Sequence, residues 1–305
     1  MSKPLEHIGG LITQKDGVDV IECAVCEFKH IMPLPTPEAI KSMYEEVFYS
    51  DIKPSYISKM EREKEYWMSL YTERIEEMNW VYAGPILGGS AILDIGCGPG
   101  YFMAAAAECG LDPVGVELSL QASKHARQFG RVYTQPIEEV TTLHPGTFHM
   151  VHMSFILEHL VNPHAVLRKM HKLMPTGGVL CIEVPRDFTP LQEEARQFAT
   201  LDEWWVAPTE GHVNYFSSES LKGLVSRNGF SIQYETTSWP MELYILAGRN
   251  YVGHPDVGKK CHEDRMGLEK KMWATMPETK KALYAMMARH GIGREIILYC
   301  RREDA

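Results

Sequence analysis

With 305 residues, 45% of them hydrophobic, the chain can bury one large core with a smaller appendage. A net charge of −9 excludes a general nucleic-acid binder, which needs a basic face against phosphates. The seven scattered cysteines do not make a disulfide framework, no apolar run reaches the roughly 18 residues of a membrane span, and MSKPLEHIGG has no apolar signal-peptide core. Together these predict a soluble, cytoplasmic protein that engages neither nucleic acid nor membrane.

Residues 1–50 read as irregular, with CAVC at Cys23 and Cys26 and the turn MPLPTP behind it. From about Tyr56 to Trp80, Trp67, Leu70, Tyr71, Ile75 and Met78 recur at helical steps. Strands and helices then alternate. AILDI reads as a buried strand, and YFMAAAAECG as a helix with Phe102, Ala105, Ala106 and Cys109 inward and Gly110 as its stop. PVGVEL is a second strand, and Ser119 can cap the helix that runs to Gly130. RVYT and FHMVHMSF are further strands. Asn162-Pro163 opens a helix with Val166, Met170 and Leu173 inward, and GVLCIEV is the fifth strand.

Past Pro185 the regularity drops, through the aromatic and histidine-rich stretch EWWVAPTEGHVNYF. A helix with Leu221, Leu224 and Val225 inward, the strand FSIQYE and the last strand EIILYC follow, the two strands separated by a long helical insertion. The alternation predicts a doubly wound α/β fold, a parallel sheet with helices on both faces. The divisions expected are 1–55 as an N-terminal cysteine-containing segment, 56–239 as the core, and 240–305 as an insertion or lid plus the final strand.

The loop AILDIGCGPGYF carries Gly96, Gly98 and Gly100. A dinucleotide fingerprint needs glycine where Tyr101 stands, and a phosphate-binding P-loop needs a Gly-Lys-Ser/Thr ending. A tight strand–helix turn alone would also use such glycines. Asp94, at the carboxyl end of its strand, repels phosphate and suits an ammonium group, and Glu117 ends the next strand where an acid can accept from both ribose hydroxyls. A nucleoside with an ammonium group and no phosphate is S-adenosylmethionine (SAM).

LDIGCGPG, VGVELS, SFILEHL and PTGGVLCIEVPR, in that order, resemble successive motifs of the class I SAM-dependent methyltransferases over about Ala91 to Glu235. The resemblance implies a seven-stranded, mostly parallel, Rossmann-like sheet with an antiparallel last hairpin. It also implies that Asp94, Gly96 and Gly98 line the methionine end of SAM, that Cys97 between them is cofactor-binding, that Glu117 binds the ribose, and that Leu118 and Ile137 pack on the adenine. Ser154 falls where the fourth strand ends beside the cofactor. The layout is most similar to sugar C-methyltransferases and related natural-product and polysaccharide enzymes, which implies a small-molecule acceptor such as a sugar, nucleotide-sugar or secondary metabolite.

For a hydroxyl or carbon-acid acceptor the enzyme must align the acceptor and remove its proton. His159, with Glu158 beside it in LEH, is the expected base; His212 in GHVNYFS is the reserve, with Trp204, Trp205 and Tyr215 as a wall for a sugar or planar ring. The same residues could merely lace a helix start or pack a loop. The subgroup often begins with a zinc ribbon, but only Cys23-x-x-Cys26 is present, and the spacing of His7 and His30 is not diagnostic. No metal is therefore expected. The lysine pairs of the insertion read as solvated helix surface. Alternatives are an O-methyltransferase of a phenol or quinone, an NAD-dependent oxidoreductase, which Tyr101 and Asp94 oppose, and a SAM-binding subunit without chemistry. The reading admits a homodimer.

Overall fold

The computed structural model describes residues 7–82, 88–205 and 211–304. Of the stretch EWWVAPTEGHVNYF, residues 206–210 lie outside the described residues. The expectation of an irregular segment over 1–50 gives way at once. Strands β1 (Gly9–Lys15), β2 (Val18–Cys23) and β3 (Phe28–Met32) form an antiparallel meander. The first turn is Asp16-Gly17, at φ 52° and 78°, the residue pair that a type I′ hairpin favours.

Helix α1 (Pro37–Ser42) starts at Thr36, whose side chain accepts from the Ala39 amide, and runs into a π-helical stretch, Met43–Ile52. The single helix expected from Tyr56 is two, α2 (Tyr56–Arg62) and α3 (Lys64–Tyr82). The alternation then follows as β4 (Ala91–Ile95), α4 (Tyr101–Glu108), β5 (Asp112–Val116), α5 (Leu120–Ala126), β6 (Arg131–Tyr133), β7 (Met150–Ser154), α6 (Pro163–Leu173) and β8 (Val179–Pro185). Ser119 and Asn162 cap α5 and α6 as the sequence suggests, accepting from the Ala122 and Ala165 amides. Cys109, expected inward, is exposed because α4 ends one residue before it.

The chain continues with α7 (Pro190–Phe198), β9 (Asn214–Tyr215), α8 (Ser218–Ser226), β10 (Phe230–Thr236), α9 (Glu242–Leu246), α10 (Pro255–Thr275), α11 (Pro277–Arg289) and β11 (Glu295–Arg302). Helix α7 is the element that the sequence reading passes over. Its signal is a capping box, in which Thr189 accepts from the Gln192 amide and Gln192 accepts in return.

Seven strands make one mostly parallel mixed sheet in the order β10-β11-β8-β7-β4-β5-β6, and four make a second in the order β1-β2-β3-β9. The pairs β8–β7, β7–β4, β4–β5 and β5–β6 are parallel. The chain folds as two compact units. One comprises Met1–Leu34, Val184–Leu221 and Glu235–Ile297; the other comprises Pro35–Glu183, Lys222–Tyr234 and Leu298–Ala305.

The second unit holds the core of the parallel strands. Leu93, Val151, Met153, Leu180 and Ile182 are fully buried, as expected of strands covered on both faces. In the first unit, Glu269 of α10 is a buried hub, accepting from the Trp239 amide at 3.1 Å, Arg265 at 2.8 Å and the Tyr284 hydroxyl at 3.3 Å. Lys280 departs from the expectation of a solvated lysine pair. It is buried, with its ammonium 5.7 Å from the centre of the Trp273 ring and 5.4 Å from that of Tyr284, a cation–π setting. Among the described residues, no helix is long and apolar enough to cross a membrane.

Candidate cofactor and catalytic site

The glycine loop joins β4 to α4, and its amides answer whether it is built for phosphate. The Gly96 and Cys97 N–H groups both donate to the Val116 carbonyl, at 2.7 and 3.1 Å, and Gly100 N–H donates to Cys97 O at 2.9 Å. Gly98 N–H donates to Glu117 Oε2 at 2.9 Å. These four amides are spent inside the protein, which leaves none of them for an anion. Glycine is required twice over. Gly96 sits at φ 70°, where a Cβ would come within 1.9 Å of Ile156 Cδ1, and Gly100 sits at φ 89°, where a Cβ would meet the Ala126 Cα at 2.8 Å.

Glu117 directly follows β5 and is buried. Its Oε1 accepts from the Ser119 amide at 2.8 Å and its Oε2 from Gly98, so each oxygen is held by one N–H and keeps a further lone pair for a ligand hydroxyl. Burial pushes this carboxyl up to about 6, against the lowering effect of the Ser119, Gly98 and Leu118 amides and with Asp94 adding repulsion. The Cys97 side chain is buried next to the loop, Leu118 is half-buried, and Ile137 is buried at the start of a short 3-10 turn. Lys169 of α6 pins that turn through the carbonyls of Ile137, Glu138 and Val140, at 2.5, 3.1 and 2.7 Å.

Asp94 does not stand alone, and its partners are the residues that sequence reasoning missed. In the parallel register, Asp94 lies beside His152 of β7, and Ser154 beside Glu183 of β8. Asp94 Oδ1 is 2.7 Å from His152 Nδ1, and Arg74 of α3 reaches His152 Nε2 at 3.5 Å and Glu183 through two bonds of 2.5 and 3.0 Å. Arg74 can only donate, which makes Nε2 the acceptor and places the ring proton on Nδ1, directed at Asp94. Burial, then Arg74, holds His152 well below its ordinary value, so the ring is neutral. Burial also raises Asp94 well above the usual carboxylate range, with Arg74 opposing it.

Burial alone would raise Glu183, but Arg74 outweighs it and holds this carboxyl below its usual value. Ser154 donates its hydroxyl to Glu183 as well. The His152 ring stacks on Phe102 of α4 at 3.8 Å and 9°, which fixes its plane. The signal for this network was a titratable residue inside each apolar run: His152 in MVHMS, Glu183 in VLCIEVP. Tyr56 of α2 also belongs to this region. Burial first, then Glu117 and Glu183, raises its hydroxyl to about 12, so it stays a neutral donor.

After β7 the chain passes through Phe155, an exposed aromatic at φ 55°, before the 3-10 turn Leu157–His159. Left-handed backbone at a bulky residue is costly and gathers at functional sites. Glu158 is buried and its Oε1 lies 3.8 Å from His159 Nε2, and the Tyr44 ring meets His159 edge-on at 5.4 Å. His212 lies in the other unit, half-buried just before β9. The stretch expected as a loop there is the two-residue strand β9, paired to Lys29 and His30 of β3. A two-residue strand has no alternation to read, and its partner is far away in sequence. Trp204 packs edge-on against Phe188 at 5.1 Å, and Phe188 against Tyr215 at 5.3 Å.

A family model described as a methyltransferase domain matches residues 65–235, more than half of the chain. The chain belongs to the class I SAM-dependent methyltransferases. This methyltransferase is 35% identical over 102 residues to a ubiquinone biosynthesis O-methyltransferase of Psychrobacter arcticus, covering 30% of this chain and 40% of that protein. It is 33% identical over 99 residues to the protein so named from Bordetella avium, covering 30% and 41%. The methyltransferase thus spans about two-fifths of the length of these curated relatives.

Among solved structures, it is similar to magnesium protoporphyrin IX methyltransferase of Synechocystis PCC 6803 with bound S-adenosylhomocysteine, at TM-score 0.52 and 14% identity, over 88% of this chain and 100% of that one. It is also similar to 1,6-didemethyltoxoflavin-N1-methyltransferase of Burkholderia thailandensis, at TM-score 0.52 and 13% identity, over 96% and 99%. These two likenesses show a shared fold. The cofactor of this methyltransferase is SAM, and the NAD reading falls with that.

Proposed function

We propose that this methyltransferase transfers a methyl group from SAM to a hydroxyl of a small-molecule acceptor, of the phenol or quinol type. The observation that carries the cofactor part is Glu117: a buried carboxylate with both oxygens oriented by backbone amides and a lone pair left on each. Asp94, Gly96, Cys97 and Gly98 hold the methionine end, Glu117 the ribose, Leu118 and Ile137 the adenine, and Ser154 borders the methyl. An ammonium group beside Asp94 would favour the ionised carboxylate that burial otherwise opposes, and its His152 partner holds the carboxyl in one orientation. Bound SAM supplies an electrophilic methyl on a sulfonium.

The chain's own residues then align the acceptor and take its proton. His159 is the base, with Glu158 stabilising the imidazolium that forms; His212 is the second candidate. An acidic phenolic hydroxyl asks least of such a base, and the ubiquinone O-methyltransferases to which the chain is similar support this class. A sugar or nucleotide-sugar is the second reading, favoured by the half-buried Trp204 packed beside Phe188 and Tyr215. The protein acts in the cytoplasm, without nucleic acid or membrane. Residues 56–239 carry the reaction, and residues 240–305 form the helical insertion and supply the final strand.

The test is transfer of isotope-labelled methyl from SAM to two acceptor panels, catechols and quinols against nucleotide-sugars. Label on the phenolic oxygen supports the first reading. Label only in the sugar panel replaces it with the second.

A further inference from the structure

The proposed reaction makes no use of β1–β3, yet that small sheet gathers four metal-ligating side chains. His7, Cys23, Cys26 and His30 bring one ligand atom each into a cluster whose members all lie within 4.8 Å of one another. The separations are 3.1 Å for His7 Nδ1 to His30 Nε2, 3.3 Å for Cys26 Sγ to His7 Nδ1 and 3.7 Å for Cys23 Sγ to His7 Nδ1. Around tetrahedral zinc, with Zn–S of about 2.3 Å and Zn–N of about 2.0–2.1 Å, adjacent ligand atoms stand about 3.3–3.8 Å apart. The three edges span that range and fall just below it.

Hydrogen bonding alone accounts poorly for this arrangement. His7 Nδ1 carries one proton or one lone pair, yet it faces three partners. His30 Nδ1 lies 2.9 Å from the Ile31 carbonyl, which can only accept, so the ring proton sits on Nδ1 and Nε2 turns a bare lone pair into the cluster. That carbonyl is the outer-shell partner that orients a ligating imidazole. Cys26 N–H points at Cys23 Sγ at 3.4 Å, an amide donor for a thiolate. The Cys-x-x-Cys turn closes with Glu27 N–H on Cys23 O at 2.9 Å, and Glu27 holds φ 62°, a strained backbone for a residue with a side chain.

The fold brings His7 to this turn by a close strand approach. Gly9 is the register partner of Cys23, and a Cβ on it would lie 2.0 Å from the Glu22 carbonyl oxygen, so only glycine passes. Ala24 N–H then bonds Ile8 O at 2.9 Å, pinning the residue next to His7 over the two cysteines. Sequence spacing hides all of this, because the first histidine is delivered by strand pairing.

We infer that His7, Cys23, Cys26 and His30 bind one structural zinc ion that staples the small sheet. Two thiolates and two imidazoles are a zinc donor set, and four protein ligands leave no open position for catalysis. The sheet needs the support. Its buried apolar residues are few, Val20, Ile21, Phe28 and Tyr215 with Ile12, Ile31 and Phe188 packed against Val20 and Tyr215, a small core that a metal staple would reinforce. His30 is also the register partner of Asn214, and Ile31 N–H bonds Val213 O at 2.9 Å. Zinc therefore anchors β9 and, through it, the backbone beside His212. The expectation of a metal-free remnant is replaced by this assignment.

The experiment uses the full chain purified without chelator from zinc-supplemented culture. Elemental analysis should return one zinc per chain. Replacement by cobalt should give the ligand-field absorption of a tetrahedral site and a thiolate charge-transfer band, a readout independent of methyl transfer. Cys26→Ser and His30→Ala should each weaken zinc by more than the roughly 10–100-fold that loss of an outer-shell partner costs. Metal removal should raise amide exchange in residues 9–32 and 212–216 before the parallel sheet is affected. A folded wild-type chain without stoichiometric zinc and without the cobalt spectrum overturns the assignment. So does stoichiometric zinc retained at wild-type affinity in Cys26→Ser and His30→Ala; where either variant fails to fold, the cobalt spectrum of the wild-type chain decides.

Discussion

Glu117→Gln is the sharpest perturbation of the cofactor site, because it changes charge with almost no change in shape. In the wild type one oxygen accepts from Gly98 N–H at 2.9 Å and the other from Ser119 N–H at 2.8 Å. An amide must turn its NH₂ toward one of those donors, so one acceptor is lost and a donor faces a donor. Losing a hydrogen bond to a charged group costs about 1.5–3 kcal/mol, which weakens SAM by about 10- to 150-fold. The wild-type carboxyl, pushed up to about 6 by burial, also sets a pH dependence. SAM needs the ionised form, so affinity is full above that value and falls below it, by about tenfold at one unit lower. Titration calorimetry from pH 5 to 8 reads both effects. The glutamine variant should be weak throughout and lose this contribution to the slope. A folded Glu117→Gln protein with wild-type affinity and wild-type slope would refute the ribose assignment.

His159→Ala should lower turnover by about 10²–10⁴, the worth of a positioned base, with SAM affinity within about twofold in calorimetry. Normal turnover in that variant, with loss in His212→Ala, moves the base to His212. Arg74→Met strands the Glu183 carboxylate without its cation and should cost about 3–5 kcal/mol in denaturant melts; a change under about 1 kcal/mol would show that the network contributes little. The lowered Glu183 makes the pair's stabilisation complete above the usual carboxylate range and lost as pH falls through its depressed value. Gly100→Ala puts a Cβ 2.8 Å from Ala126 Cα at a left-handed position, and should destabilise by about 1–3 kcal/mol; an unchanged melting temperature would show that the loop shifts freely.

The parallel core was legible because its signals are local. AILDI, MVHMS and VLCIEVP are continuous apolar runs, and Ser119 and Asn162 mark helix starts by their own side chains. Asp94 and Glu117 were singled out from their places at strand ends, where the structure buries both. What escaped depends on pairing across the chain. Arg74 meets Glu183 from a helix more than a hundred residues earlier, and β9 exists only because β3 receives it. The histidine–cysteine cluster escaped for the same reason, its ligands being assembled by a hairpin register. Lys280 escaped because a lysine pair reads as solvent-facing until Trp273 and Tyr284 are placed beside it.

Methyl transfer from SAM to a small-molecule hydroxyl leaves a labelled product that can be read without knowing the acceptor. Its most direct test is mass spectrometry of a metabolite extract incubated with the protein and methyl-labelled SAM. One acceptor should gain a single labelled methyl on oxygen, with an equal amount of S-adenosylhomocysteine, and both should be lost in Asp94→Ala. SAM that binds and stays intact, with no component of the extract labelled, would contradict it and leave a binding protein in its place.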